Sequence, residues 1–233
     1  REYHEAEAML VQSLQLDPHQ SDVNQHLLHL RQKQCAWPIC KTQPEMPTLQ
    51  WTESASALST LAITDSVHEQ LLSARRFVSK KVFPASEYLS QKHGYQHKKL
   101  RIGYLSSDFC LHPVGLLTAE LFALHDRTHF EVHAFCWSRE DGSALRKRIL
   151  PSMDRVTDIA NMNDETAARA IRAQEIDILI DLHGLTSGAR PNILSWRPAP
   201  VQISYLGFPG TTGHPEIDYI IVDDYILPEE HEK

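Results

Sequence analysis

The chain has 233 residues, 42% of them hydrophobic, so it can bury one substantial core and a smaller appendage. Its formal net charge is −7 and its lysines and arginines form no basic stripe, which argues against nucleic acid as a general partner. No apolar run approaches the roughly 20 residues of a membrane span, the start carries no charged leader, and the four cysteines lack zinc-site spacing. We therefore expect a cytoplasmic protein without membrane contact and with reduced thiols.

The first 34 residues indicate two amphipathic helices. Ala6, Leu10 and Leu14 share one helical face, and Asp17-Pro18 ends the first helix because proline cannot continue it. A second amphipathic stretch follows in residues 21–33. The small residue, the large apolar residue four positions later and the closing Leu-Asp-Pro resemble a tetratricopeptide repeat, with a generic helical hairpin as the alternative. We assign residues 1–34 to the end of a tetratricopeptide-repeat array.

Residues 35–98 are predicted to connect this array to the next domain. Residues 35–47 are rich in proline and are typical of a linker. Residues 54–94 have apolar positions at helical spacing, and the basic run at 91–99 is interpreted as a solvated connector.

From Leu100 onward, strands and helices alternate regularly. The apolar character of DILIDL and DYIIVD is typical of strands covered on both faces, and such alternation predicts parallel βαβ units. We expect a helix over 114–126 and a last strand over 218–227. The fold class is therefore α/β: a Rossmann-like parallel sheet in residues 99–233, preceded by the α-helical, tetratricopeptide-like segment.

Three predicted strands end in loops of unusual chemistry: SSDFCLHPVG, DLHGLTSGARP and LGFPGTTGHP. In a parallel sheet these loops leave the same edge, where strand carboxyl ends and helix amino ends face one crevice. Asp108 and His112, in the first loop, are the candidate catalytic pair. The alternative is that Asp108 caps a turn and His112 is an ordinary surface histidine.

The other two loops suggest an anionic or sugar ligand. Gly207, Gly210 and Gly213 would allow close backbone approach, and Arg190 could bind an anion through its planar fork. Tight turns and a structural bridge are the respective alternatives. Neither GxGxxG after the first strand nor GxxxxGK[ST] occurs, which disfavours dinucleotide redox enzymes and P-loop ATPases.

Taken together, SSDFxxHP, GAR, RPAPxQxxxLGxPGTxG and DYIIxD resemble the amino-terminal half of the catalytic region of O-linked N-acetylglucosaminyltransferases, which have the GT-B architecture. The resemblance implies transfer of N-acetylglucosamine from the nucleotide sugar UDP-GlcNAc to Ser or Thr of a protein or peptide acceptor. It implies no metal cofactor. It also implies that a carboxy-terminal donor-binding half is absent from these 233 residues, so that this part alone is inactive.

The resemblance also places roles on matching positions. It implies that His112 takes part in proton transfer and that Asp108 is a second candidate base. Residues implied to bind the donor or substrate are Arg190, Leu206, Gly207 and Pro209. Val114 stands where many relatives have threonine, and no histidine-rich segment occurs near residues 54–61, which suggests a bacterial form.

Two rival functions remain open at this stage. The chain could be a non-catalytic, repeat-type protein-binding module whose Rossmann-like part is structural. It could also belong to an enzyme that uses another donor, as the related plant-type protein O-fucosyltransferases do.

Overall fold

The computed structural model describes residues 2–39, 53–90 and 94–228. The chain divides into two compact units, residues 1–77 and 78–233. Most of the predicted linker, from residue 40 onward, lies outside the described residues.

The first unit is helical. Its helices are α1 (Glu2–Leu16), α2 (Ser21–Lys33), α3 (Ala57–Leu61) and the start of α4 (Val67–Lys81). Leu14, Leu27 and Leu28 are buried together in a small core, as the amphipathic pattern predicts. The Gln20 side chain donates to the carbonyls of Ser13 and Asp17 and so stabilises the turn between α1 and α2.

The helix predicted up to residue 94 ends earlier, at Lys81. Pro84 lacks an amide hydrogen and cannot continue α4. The described residues 82–90 are not helical: the Phe83 amide donates to Asn192 Oδ1 at 2.8 Å, and the Leu89 amide donates to the Trp196 carbonyl at 2.8 Å. This segment belongs to the second unit and obtains these hydrogen bonds from residues 192 and 196 of the same unit rather than from a helical turn.

The second unit is built on a parallel sheet of six strands in the order β3-β2-β1-β4-β5-β6. The strands are β1 (Leu100–Ser106), β2 (Phe130–Cys136), β3 (Arg155–Asp158), β4 (Ile178–Asp181), β5 (Val201–Tyr205) and β6 (Tyr219–Ile221). This is the strand order of the doubly wound Rossmann fold, which confirms the predicted fold class.

Helices cover both faces of the sheet. They are α5 (Pro113–Thr118), α6 (Leu121–Leu124), α7 (Ala144–Ile149), α8 (Asp164–Arg172) and α9 (Asn192–Ser195). Successive side chains of β1 enter opposite cores: Tyr104 packs in one with Phe122, and Leu105 packs in the other with Ile171. Burial on both faces explains the continuous apolar character of the strands.

Two predicted elements differ in the structure. The helix expected over 114–126 is divided into α5 and α6. The last strand ends at Ile221, where a turn begins: Asp223 Oδ1 accepts a hydrogen bond from the Ile226 amide at 3.0 Å. A local side-chain bond of this kind competes with strand pairing.

The strand order creates a crevice between β1 and β4. The chain runs from β1 outward to β2 and β3, then returns to β4 on the other side of β1. Loops at such a reversal leave in opposite directions, which opens a ligand-binding crevice at the carboxyl edge of the sheet. The loops that follow β1 and β4 therefore define the first place to search for a site.

Candidate active site

The loop after β1 is held by hydrogen bonds that its backbone amides donate to side chains. The Asp108 amide donates to Ser106 Oγ at 2.9 Å, and the Phe109 amide donates to Ser138 Oγ at 3.0 Å. The Leu111 amide donates to Asp141 Oδ2 at 2.7 Å, and this bond helps lower the pKa of the Asp141 carboxyl to about 2. The side chains of Ser106, Ser138 and Asp141 thus hold the loop in place.

His112 and Asp108 lie together in this loop. His112 is the residue preceding α5, and its Nδ1 is 3.3 Å from both Asp108 Oδ2 and the Val114 amide nitrogen. The two contacts require different protonation states of Nδ1. It must carry a proton to donate to Asp108, and it must lack a proton to accept from the Val114 amide. The histidine side chain is 44% exposed and that of Asp108 only 12%, so the imidazole faces solvent with the carboxylate behind it.

His183, after β4, contacts the same carboxylate. Its Nε2 lies 3.4 Å from Asp108 Oδ2, 2.8 Å from Ser107 Oγ and 3.1 Å from the Ser107 amide, which donates to it. The ring is almost fully buried. Burial lowers the pKa of His183, nearby Asp108 opposes that shift, and His112 adds to it.

Asp181, the last residue of β4, fixes the backbone that carries His183. Its Oδ1 accepts the His183 amide at 3.0 Å and its Oδ2 accepts the Gly184 amide at 2.8 Å. Complete burial raises the pKa of Asp181 to about 6, and the two amide donors hold it below the value that burial alone would give. Gly184 has a φ of +56°, which glycine adopts without strain.

The Trp137 indole packs against the His183 imidazole. The two rings are stacked, with centroids 5.1 Å apart and planes 28° apart. The indole Nε1 donates to the Gly188 carbonyl at 3.1 Å, which connects the ring to the loop after β4. The orientation of the His183 ring is therefore fixed by Trp137 on its face as well as by hydrogen bonds at its edge.

The loop after β5 packs onto the end of β4, which confirms that three loops meet at one edge. Leu206 has a positive φ of 61° and Pro209 is exposed. A Cβ on Gly207 would overlap the backbone carbonyl of Leu182 and lie 2.9 Å from the His183 Cα. The glycine is required here because two backbones touch, a reason separate from any ligand.

Arg190 occupies a different position from the Asp108–His112 pair. Its Nε donates to Asp164 Oδ1 at 2.8 Å, and its terminal nitrogens donate to the carbonyls of Ile159 at 2.8 Å and Met162 at 2.6 Å. The guanidinium also lies over Trp137, 5.7 Å from the ring centroid. These contacts tie the loop after β4 to the start of α8, as the structural-bridge alternative requires; the ligand-binding role stays a prediction.

We expect Arg190→Lys to lower the melting temperature of the protein. Lysine cannot reach a carboxylate and two carbonyls with one planar group, so the free energy of unfolding should fall by roughly 2 to 3 kcal/mol. Thermal denaturation measures the loss. Arg148→Lys is the control, because Arg148 is 57% exposed and pairs with one exposed glutamate, Glu120. An unchanged melting temperature combined with lost ligand binding would instead assign Arg190 to the ligand.

Three residues of the site were not singled out from the sequence: Ser107, Asp181 and His183. The sequence does contain a signal for two of them, which is their position. Asp181 and His183 lie in the polar stretch DLHG, which directly follows the apolar strand sequence DILI. Within the residues that the structure describes, no three His, Cys, Asp or Glu side chains form a metal-binding group. No helix in the described parts of the chain is both long and apolar enough to cross a membrane.

The chain has a Rossmann-like domain with a His–Asp pair at its topological switch point. This places it in the class of α/β proteins that bind ligands at the carboxyl edge of the sheet. Within that class, residues 61–233 match the family model described as glycosyl transferase family 41. The chain belongs to this family.

Named relatives agree with the family model. The chain is 37% identical over 163 residues to the probable UDP-N-acetylglucosamine–peptide N-acetylglucosaminyltransferase SEC of Arabidopsis thaliana, which covers 70% of this chain and 16% of that protein. It is 35% identical over 165 residues to the enzyme of Caenorhabditis elegans carrying the same activity name, covering 70% of this chain and 14% of that one. The chain thus spans a small part of the length of these relatives.

A solved structure shares the fold. A mutant of the Thermobaculum terrenum O-GlcNAc transferase superposes with a TM-score of 0.69 at 24% identity, over 98% of this chain and 45% of that one. This similarity supports the architecture of both the helical and the Rossmann-like parts.

Proposed function

We propose that this chain supplies the acceptor-side half of the active site of a protein O-glycosyltransferase that moves N-acetylglucosamine from UDP-GlcNAc to Ser or Thr. Membership of family 41 and the activity named for its relatives support the proposal. The single observation that carries it is the exposed His112 imidazole with the Asp108 carboxylate behind it.

The geometry suits removal of a proton from an acceptor hydroxyl. The Val114 amide donates to His112 Nδ1 at 3.3 Å, so a proton acceptor at Nε2 requires the other tautomer, in which a proton on Nδ1 faces Asp108 Oδ2, also at 3.3 Å, and the Nε2 lone pair is bare. A bare, exposed imidazole nitrogen can accept the hydroxyl proton while the oxygen attacks the sugar carbon. The bond from that carbon to the diphosphate then breaks, and the electron pair leaves with the nucleotide.

Transfer is tested on the protein that contains residues 1–233 together with any sequence that flanks them. Incubation with labelled UDP-GlcNAc and Ser/Thr peptides should add one N-acetylhexosamine per modified hydroxyl, detected by mass spectrometry. Label transfer only from an activated fucose donor would favour the fucosyltransferase alternative. No transfer, with peptide binding retained, would favour a binding module.

We also propose that the reaction has no resident metal, as the resemblance to GT-B enzymes implies. Incubation with excess EDTA should leave the initial rate of sugar transfer unchanged, measured by label incorporation. Loss of activity in EDTA that Mg²⁺ or Mn²⁺ restores would contradict this proposal. If the rate of sugar transfer is unchanged by EDTA but falls when His112 is replaced, proton transfer is assigned to side chains alone.

A further inference from the structure

His214 is a buried histidine in the loop after β5, the loop that also contains Gly207 and Pro209. Its Nε2 lies 3.1 Å from the carbonyl oxygen of Pro191, and the Glu216 amide donates to its Nδ1 at 3.1 Å. Both partners are backbone groups, so each has a single role in a hydrogen bond. The carbonyl accepts and the amide donates.

These two partners locate the proton of the imidazole. A carbonyl accepts only from a protonated nitrogen, so Nε2 carries the proton, and an amide donates only to a bare nitrogen, so Nδ1 lacks one. Burial lowers the pKa of His214, and the hydrogen bond to Pro191 and the Glu216 carboxylate oppose this shift. That carboxylate already accepts from the Tyr88 hydroxyl at 2.7 Å and pairs with Arg197 at 3.4 Å. The ring is therefore uncharged at neutral pH and is held as the Nε2–H tautomer.

The two bonds of the imidazole differ in what they connect. Glu216 follows His214 by two residues, so its bond closes a local turn. Pro191 directly precedes α9 and is 23 residues away along the chain, so the other bond joins two different loops. The Pro191 carbonyl also accepts the Leu194 amide, within the first turn of α9, at 3.1 Å. His214 thus attaches the end of the loop after β5 to the start of α9.

The beginning of the same loop is attached to the end of β4. Phe208 is buried, and a Cβ on Gly184 would lie only 2.5 Å from the Phe208 Cβ, so these two residues are in close contact. At the other end, Gly213 has a φ of +59° and turns the chain into His214. Residues 209–213 therefore lie between two attachment points.

We propose that His214 is a positioning residue for the nucleotide-sugar donor: the bond from its Nε2–H to the Pro191 carbonyl holds residues 209–213 in place at the carboxyl edge of the sheet. The role rests on the proposed function, because the resemblance assigns donor binding to this loop. His214 itself is 6% exposed, so it acts through the loop rather than by touching the donor. The tautomer and the attachment are properties of the folded protein.

Two substitutions separate the two bonds. The amide nitrogen of glutamine can take the place of Nε2, so His214→Gln keeps a donor for Pro191 and loses the acceptor for the Glu216 amide. The side-chain oxygen of asparagine can take the place of Nδ1, so His214→Asn keeps the local turn, which asparagine commonly forms, and loses the donor for Pro191. His214→Ala loses both bonds.

His133→Ala is the matched control for a loss of stability alone. His133 is also a buried histidine of this domain, and its Nδ1 lies 2.8 Å from Gln174 Oε1. Gln174 precedes β4, so this bond lies toward the amino-terminal edge of the sheet. The variant should lower the melting temperature and leave donor binding unchanged.

The first measurement is ¹⁵N NMR of the histidine side chains, which distinguishes protonated from bare ring nitrogens without an enzymatic assay. In the unsubstituted protein at neutral pH, we expect His214 as the uncharged Nε2–H tautomer. A proton on Nδ1, alone or together with one on Nε2, would overturn the proposal.

The second measurement is calorimetric titration with UDP-GlcNAc, followed by initial rates of transfer, in the protein with its flanking sequence. His214→Ala and His214→Asn should raise the donor Kd and KM by roughly five- to tenfold, the value of about one hydrogen bond. The kcat should stay unchanged, because His112 lies in another loop. His214→Gln should bring both constants back to within about twofold of the unsubstituted protein.

Three results would contradict the positioning role. A donor Kd that is equal in all three variants and the unsubstituted protein would show that the loop does not depend on His214. A loss in His214→Gln as large as in His214→Ala would show that the Pro191 bond is not the one that matters. A similar rise of Kd in His133→Ala would reduce the effect to general stability.

Failure of the proposed function gives a different result. If the unsubstituted protein binds UDP-GlcNAc but transfers no sugar, the proposed function fails and the series of Kd values still decides the role of His214. If it binds no UDP-GlcNAc, the proposed function and the positioning role both fail, whereas the tautomer assigned by NMR stands.

Discussion

His112→Ala should lower kcat for sugar transfer by roughly 10²- to 10⁴-fold, the usual contribution of a general base. The methyl group of alanine cannot take a proton from the acceptor hydroxyl. The donor KM should change little, because the imidazole acts on the acceptor side. Initial rates in the protein with its flanking sequence measure both constants.

Asp108→Asn should cost less than His112→Ala. The contact between Asp108 Oδ2 and His112 Nδ1 is 3.3 Å, long for a charge-assisted hydrogen bond, so the carboxylate orients the ring rather than holding the reacting proton. We expect kcat to fall while transfer remains measurable. Near-full activity of His112→Ala with abolition by Asp108→Asn would reverse the two roles.

His129→Ala is the matched control for these variants. His129 is exposed and its Nδ1 lies 2.7 Å from Asp126 Oδ2, so it belongs to a second His–Asp pair. That pair precedes β2 and therefore lies at the opposite, amino-terminal edge of the sheet. Removal of His129 should leave kcat unchanged, which separates the effect of position from the loss of any histidine.

The sequence predicts the convergence of the three loops because alternation alone implies a parallel sheet, and a parallel sheet places all its strand ends at common edges. Strand order is not contained in that pattern. The order places β4 beside β1, and this neighbourhood brings His183 to Asp108 across 75 residues of chain. Sequence alone could mark DLHG as polar but not as a partner of SSDF.

Arg190 shows a second limit of prediction from sequence. The nearby Gly188 and Pro191 suggest a loop, but the contacts of Arg190 are made with residues 159–164, which lead into the start of α8. A guanidinium binds carbonyls and a carboxylate as well as it binds an anionic ligand. Only the packing of α8 against the loop distinguishes these uses, and that packing is tertiary.

Gly207→Ala should lower the free energy of unfolding by about 3 kcal/mol, the upper end of the usual cost of overpacking. The added Cβ would overlap the Leu182 carbonyl, and neither backbone can rotate away as a flexible side chain could. Relief requires the loop after β5 to separate from the end of β4, which would also displace His183. Urea denaturation of the 233-residue chain measures the loss.

Gly188→Ala provides the control that separates overlap from backbone strain. Gly188 has a φ of +82°, but nothing lies within 4 Å of its added Cβ, so alanine should cost only about 1 kcal/mol from the left-handed conformation. If Gly207→Ala were no more destabilising than Gly188→Ala, the contact with Leu182 would not be what requires the glycine. If Gly207→Ala kept the stability of the unsubstituted protein but lost nucleotide-sugar binding in the protein with its flanking sequence, Gly207 would have the ligand-approach role that its motif suggests. A large loss of stability instead makes Gly207 a structural support of the crevice, acting on the reaction through the position of His183.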